Sequence, residues 1–129
     1  MSYEQNPGII TQVAGADMSS DQYLIAKLGS ADNTVIRATG VTAPLLGVVT
    51  RPGASGSAVA IRTHGVAKVK AGATVTRGGF VGCNASGQAI NYVIPGAAAT
   101  NYYLGIALED GASGEIISVL LQPGVNTGT

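Results

Sequence analysis

Glycine and proline rule out most folds for this chain before any other feature is considered. Nineteen Gly and five Pro are scattered through 129 residues. Each Gly inside a helix costs about 1 kcal/mol relative to Ala, and each Pro about 3, so long helices are punctured throughout. No 11-residue window shows the 3.6-residue apolar period of an amphipathic helix. The apolar positions alternate instead. In "SAVAIRTHGVAKVKA", Val59 and Ile61 alternate with Ala60 and Arg62, and Ala67, Val69 and Ala71 alternate with Lys68 and Lys70. Each run is bounded by Gly-rich turns, the pattern of short strands with one face in and one face out. Many such strands at close spacing predict an all-β fold, a small single-domain barrel or sandwich.

The length supports one domain, which at this size buries roughly two thirds of the surface its unfolded chain exposes. Aromatics are scarce: five Tyr, one Phe and no Trp. The core must therefore come from Val, Ile, Leu and Ala. Such a core gains less area per residue than one built on aromatics, each of which buries roughly 150–250 Å², and burial against copies or a partner makes up the difference.

We divide the chain into an extended N-terminal arm over residues 1–20, a β domain over 21–123 and a flexible C-terminal tail over 124–129. The arm carries the turn formers Pro7 and Gly8, with Ile9, Ile10 and Val13 as its bulky aliphatics. These residues suit an extended strand added to a sheet edge on a neighbouring subunit, so Pro7, Ile9, Ile10 and Val13 are the candidate contact residues. "DQYLIAKLGSADNTVIRATG" fits either a hairpin around "GSADN" or a short helix over 21–28 stopped by Gly29. "LGIALEDGASGEIISVLL" fits two strands joined by an acidic turn. The Ala97-Ala98-Ala99 run fits a helical turn or a mobile loop.

Charge is sparse and balanced, with seven basic and seven acidic residues. No basic stripe tracks a phosphate backbone, which argues against nucleic acid as a partner. Weak net charge also leaves little repulsion between copies. The N-terminus "MSYEQNPGII" has neither the basic nor the apolar region of an export signal, and no apolar run approaches the ~18 residues of a spanning helix. We therefore expect no membrane partner. The one cysteine cannot form an internal disulfide, and no Cys/His cluster or calcium loop suggests a metal.

The candidates for chemistry are few. His64 and Cys83 are the obvious base and nucleophile, yet nothing in the sequence brings them together, and a small buried thiol is the commoner role of a free cysteine. Glu109, Asp110 and Glu115 read as the solvated end of a hairpin. "GASGSAVA" and "GGFVGCNASG" lack the features of a phosphate cradle. Asn84-Ala85-Ser86 matches a glycosylation acceptor, without the secretion signal that would give the match weight. We expect no cofactor and no catalytic residues.

"VKAGATVTRGGFV" resembles the hairpin of biotinyl and lipoyl carrier domains, which makes a barrel-sandwich carrier-like module the alternative function. The following turn, "NASG", has no lysine to modify, and Lys68 and Lys70 lie before the hairpin.

From about Tyr23 to Leu121 the order of features is similar to the capsid cement or head-decoration proteins of tailed bacteriophages, a family once catalogued as a domain of unknown function. The resemblance rests on "LLGVVTRPGASGSAVAIRTHGVAKVKAGATVTRGGFVGCNASGQAI". There a Gly-Val strand, a Gly/Ala/Ser turn and a "GVAKV" strand precede a Val-x-x-Gly-Gly-x-Val hairpin and an Asn-x-x-Gly turn. It rests also on "LGIALEDGASGEIISVLL". The resemblance implies a compact β fold, several members being of the tulip-like type. It implies a non-enzymatic structural role on the outer capsid surface of a virion, after synthesis in the host cytoplasm. The expected partners are the major capsid protein, whose subunits it would bridge, and itself, as a homotrimer.

Overall fold

The computed structural model describes residues 8–94 and 99–127, and every described element is a β-strand. The first five strands close a barrel. They are β1 (Ile9–Ala14), β2 (Ile25–Leu28), β3 (Thr34–Arg37), β4 (Gly47–Arg51) and β5 (Ala58–Arg62), arranged β1-β3-β2-β4-β5 around the ring. The second five form one sheet in the order β6-β10-β9-β7-β8. They are β6 (Val66–Lys70), β7 (Phe80–Cys83), β8 (Ala89–Asn91), β9 (Thr100–Ala107) and β10 (Ile116–Thr127). The chain passes from barrel to sheet at Gly65, whose φ of 83° suits a residue without a Cβ.

Two cores result. Inside the barrel, Met18, Ala26, Val35, Val49, Val59 and Ile61 are fully covered, with Ala14 beside them. The larger core lies between barrel and sheet, where Ile25, Ala38, Leu45 and Val48 meet Val69, Val81, Leu104, Ile117 and Val119. Strands β2 and β4 serve both. Ile25 and Val48 point to the sheet while Ala26 and Val49 point into the barrel, so each strand carries two adjacent apolar residues because both its faces are buried there. Among the described residues, no aromatic is fully buried.

Residues 8–20 are not a free arm. Strand β1 pairs antiparallel with β5, from Ile9↔Arg62 to Val13↔Ala58, and parallel with β3 through Val13↔Thr34 and Ala14↔Val35. The edge addition expected on a neighbouring subunit is satisfied within the chain's own barrel, and it closes that barrel. Beyond it, Met18 is 0% exposed. Its N–H donates to the Gly53 carbonyl at 2.9 Å, and its own carbonyl accepts from the Asp21 N–H at 3.1 Å. Pro7 lies outside the described residues.

Three further expectations are corrected or decided. Residues 124–127 are not a tail: β10 runs on to Thr127, pairing Gly124↔Tyr103 through Thr127↔Thr100 after a bulge between Leu121 and Gly124. The extra residues there include Pro123, which has no N–H to give a ladder. Residues 21–28 are a turn followed by β2, not a helix, and β2 pairs with β3 as a hairpin. The hairpin expected within "VKAGATVTRGGFV" does not form, because β6 pairs with β10 and β7 pairs with β8 and β9. Ala97 and Ala98, proposed as part of a helical turn or loop, lie outside the described residues.

Candidate assembly surface

The two residues considered for nucleophilic chemistry are held in separate settings. His64 is exposed at the end of β5, its Nδ1 3.0 Å from the Thr63 hydroxyl. Cys83 is buried in the core between barrel and sheet and donates its S–H to the Asn84 carbonyl at 3.2 Å. No hydrogen bond joins them. Burial pushes the Cys83 thiol from 9.0 up to about 11, against the opposing pull of backbone hydrogen bonds at Gly40 and Gly87 and of the Lys27 charge. It therefore stays protonated at neutral pH, the opposite of the depressed pKa that marks a reactive thiolate.

The acidic hairpin end is built from caps. Asp110 accepts from the Arg77 N–H at 2.7 Å, Glu115 from the Ala112 N–H at 2.6 Å and Glu109 from the Ser118 N–H at 3.3 Å. Asp110 and Glu115 satisfy loop amides and Glu109 a strand amide of β10 that would otherwise depend on water. Among the described residues, no three His, Cys, Asp or Glu side chains come together as a metal site.

The "NASG" turn between β7 and β8 is likewise structural. The Asn84 side-chain oxygen accepts from the Ser86 and Gln88 N–H groups, both at 2.9 Å, and its amide nitrogen donates to Gln88 Oε1 at 3.1 Å. Gly87, at φ 77°, turns its carbonyl to the Ile25 N–H at 2.8 Å. The turn is thus docked on the barrel rather than projecting, as the turn of a carrier module must do to present its modified group.

What remains is a surface. Directly paired residues of neighbouring strands point to the same side of a sheet, and four of them form a row: Phe80↔Ile106 between β7 and β9, Ile106↔Leu120 between β9 and β10, and Leu120↔Val66 between β10 and β6. Their sequence neighbours Val81, Ala107, Val119 and Ala67 are buried, so the row lies on the face turned away from the barrel. Phe80 is 47% exposed, Val66 50% and, further along β10, Ile116 41%. Tyr103 joins the row, its ring centroid 4.7 Å from that of Phe80 and 5.4 Å from that of Tyr92. Lys68 and Lys70 border the face on β6.

Gly105 makes this arrangement possible. Leu104 and Ala107 are both buried although three apart, whereas a regular strand turns every second residue inward. The strand therefore changes face across Gly105, and this change carries Tyr103 out toward Phe80. A side chain at 105 would run into the Leu120 carbonyl. The sequence held one sign of the outer face. The run "IISVLL" is apolar at both parities, as in a strand covered on both sides. The barrel side covers one set, and the other is left in the open.

These features define a class, a small all-β module with an exposed apolar sheet face. A family model described as phage cement protein matches residues 8–122, and the chain belongs to that family. It is a phage capsid-associated structural protein. The match begins at the residue before β1, which fits that strand's place inside the domain. No curated protein matches the chain. Among solved structures it is similar to the N base of the head fiber protein gp8.5 of bacteriophage phi29. That likeness has a TM-score of 0.66 at 15% identity, over 88% of this chain and 92% of that one, and it concerns the fold.

Proposed function

We propose that this protein decorates the outer face of a phage head, forming trimers at local threefold positions and bridging neighbouring major capsid subunits. The observation that carries the reading is the family match across 8–122, almost the whole of the described fold. The protein acts by binding and not by catalysis, a reading supported by the protonated, buried Cys83 and by the exposed His64, which shares no hydrogen bond with it.

The mechanism is linkage. A ligand that binds the assembled lattice and not its parts stabilises the lattice by RT ln(1 + [L]/Kd), about 4 kcal/mol per site at a thousandfold excess over Kd. Repeated over the shell, this opposes the outward pressure of packaged DNA. Rigidity serves the role, because a strap between subunits transmits load only if its own fold does not yield. A closed barrel, which removes exposed strand edges, fused through a shared core to a second sheet, meets that need.

Cryo-electron microscopy of heads assembled with and without the protein tests the reading. The expected difference density is threefold, lies on the outer surface and touches more than one capsid subunit. Density confined to the inner surface, or contacting a single subunit, contradicts it.

A further inference from the structure

We propose that the outward face of the second sheet, centred on Phe80, Ile106, Leu120 and Val66, is where copies of this chain pack against one another. The inference rests on the trimeric reading above and assigns that trimer its contact surface.

The face has the composition of an interface core with its rim. Apolar side chains run unbroken across four strands, an aromatic cluster of Phe80, Tyr92 and Tyr103 sits at one end, and Lys68 and Lys70 stand at the margin. Aromatic residues are enriched in interface cores while Lys is confined to rims. In a chain with six aromatics, grouping three on an outer surface while only Tyr102 packs against the core among the described residues is a costly arrangement unless that surface is covered.

The area suits a protein partner of ordinary size. Half-exposed Phe80, Val66 and Ile116 with the more covered Ile106, Leu120 and Tyr103 present on the order of 400 Å² of apolar surface, given roughly 150–250 Å² for a whole aromatic. A standard interface takes about 800 Å² from each partner, a little over half of it apolar.

Charge selects a copy of the chain as the occupant. Among the described residues the one ion pair is Arg37 with Asp21, so Lys68 and Lys70 form no ion pair with any described acid. The capping carboxylates Glu109, Asp110 and Glu115 likewise have no cation. The chain is neutral overall, so a neighbouring copy, meeting this face with a different patch as a ring requires, brings the acids that the Lys margin lacks. A copy is also at hand from synthesis, whereas a face kept bare until a capsid arrives is an aggregation hazard.

The test is sedimentation equilibrium of the full chain and of Val66→Glu and Phe80→Glu, with Leu28→Lys as a control. Leu28 is 62% exposed and belongs to the barrel. We expect the wild type and the control to associate in the micromolar range. Each face variant should weaken association at least about thirtyfold, the scale of an interface hot spot, with an unchanged far-ultraviolet spectrum. Val66→Ser, a milder change at a half-exposed edge position, covers the case in which a charge disturbs folding, and it should weaken association in the same direction. A wild type monomeric at 100 µM overturns the proposal (a concentration roughly a hundredfold above a micromolar Kd,). Association unchanged in all three face variants also overturns it while leaving a trimer with another interface standing. Variants that still associate but no longer bind heads assign the face to the capsid, and overturn it too.

Discussion

Substituting Met18 by Ala distinguishes a barrel residue from an arm residue. Met18 is 0% exposed among Ala14, Ala26, Val35, Val49, Val59 and Ile61, and its main chain is pinned by hydrogen bonds to Gly53 and Asp21. The substitution deletes three heavy atoms, worth about 2.4 kcal/mol at ~0.8 kcal/mol per methylene-sized group. A closed ring of strands cannot collapse far into the space, so a residual cavity of roughly 50 Å³ adds about 1.2 kcal/mol at ~24 cal/mol per Å³. The total, about 3.5 kcal/mol, lies inside the range of 2–5 kcal/mol measured for such truncations. Urea unfolding reads it as a lower midpoint with an unchanged slope. Thermal unfolding should fall by about 10–15 °C, given a few degrees per kcal/mol at this chain length. Val13→Ala, at a side chain 40% exposed, should cost under about 0.5 kcal/mol. A loss below about 0.5 kcal/mol for Met18→Ala would place residues 15–20 outside the barrel.

Cys83 gives a pH signature. Its folded pKa is raised to about 11 from 9.0, so below pH 9 both states hold the proton, while between the two values only the unfolded state releases it and stability falls. Urea titrations should show the wild type losing about 2 kcal/mol between pH 8 and 10.5 that Cys83→Ala does not lose; equal losses in both proteins contradict this. Gly47→Ala should destabilise by at least about 2 kcal/mol, because a Cβ there would meet the Arg62 carbonyl across β4 and β5; a thermal transition within a degree of wild type contradicts it. His64→Gln should change stability by less than about 0.5 kcal/mol and leave head binding unaltered in a pelleting assay, and loss of binding with the fold intact would show a role for the imidazole.

The sequence disclosed local structure well and distant pairing poorly, for physical reasons visible at particular residues. Alternation at Val59 and Ile61 and at Ala67, Val69 and Ala71 announced strands and their inward faces, because one face of each is covered from within the chain. The hairpins of β2 with β3 and of β9 with β10 were legible because turn residues lie between adjacent apolar runs. Strand β1 was not legible. Its partners are far along the chain, one of them parallel, and nothing local distinguishes a strand paired at home from one reaching for a neighbour. Met18 sits alone in "AGADMSSDQ", without a period to reveal it. "QPGVNT" read as a tail because Pro and Gly stop most strands, yet here Pro123 falls within a bulge. The separate settings of His64 and Cys83 agree with a sequence in which no motif brings the two together. The outer face of the sheet was missed because its row is assembled from four strands and depends on the change of face at Gly105.

Strengthening of a phage head by this protein is read from the temperature at which packaged DNA escapes from heads carrying the protein and from heads lacking it. A fluorescent intercalator added outside the particles reports the escape. Heads lacking the protein should release DNA at a lower temperature. Adding purified protein should restore the higher value, with a midpoint that rises with its concentration as linkage requires. Identical release curves with and without bound protein would contradict it.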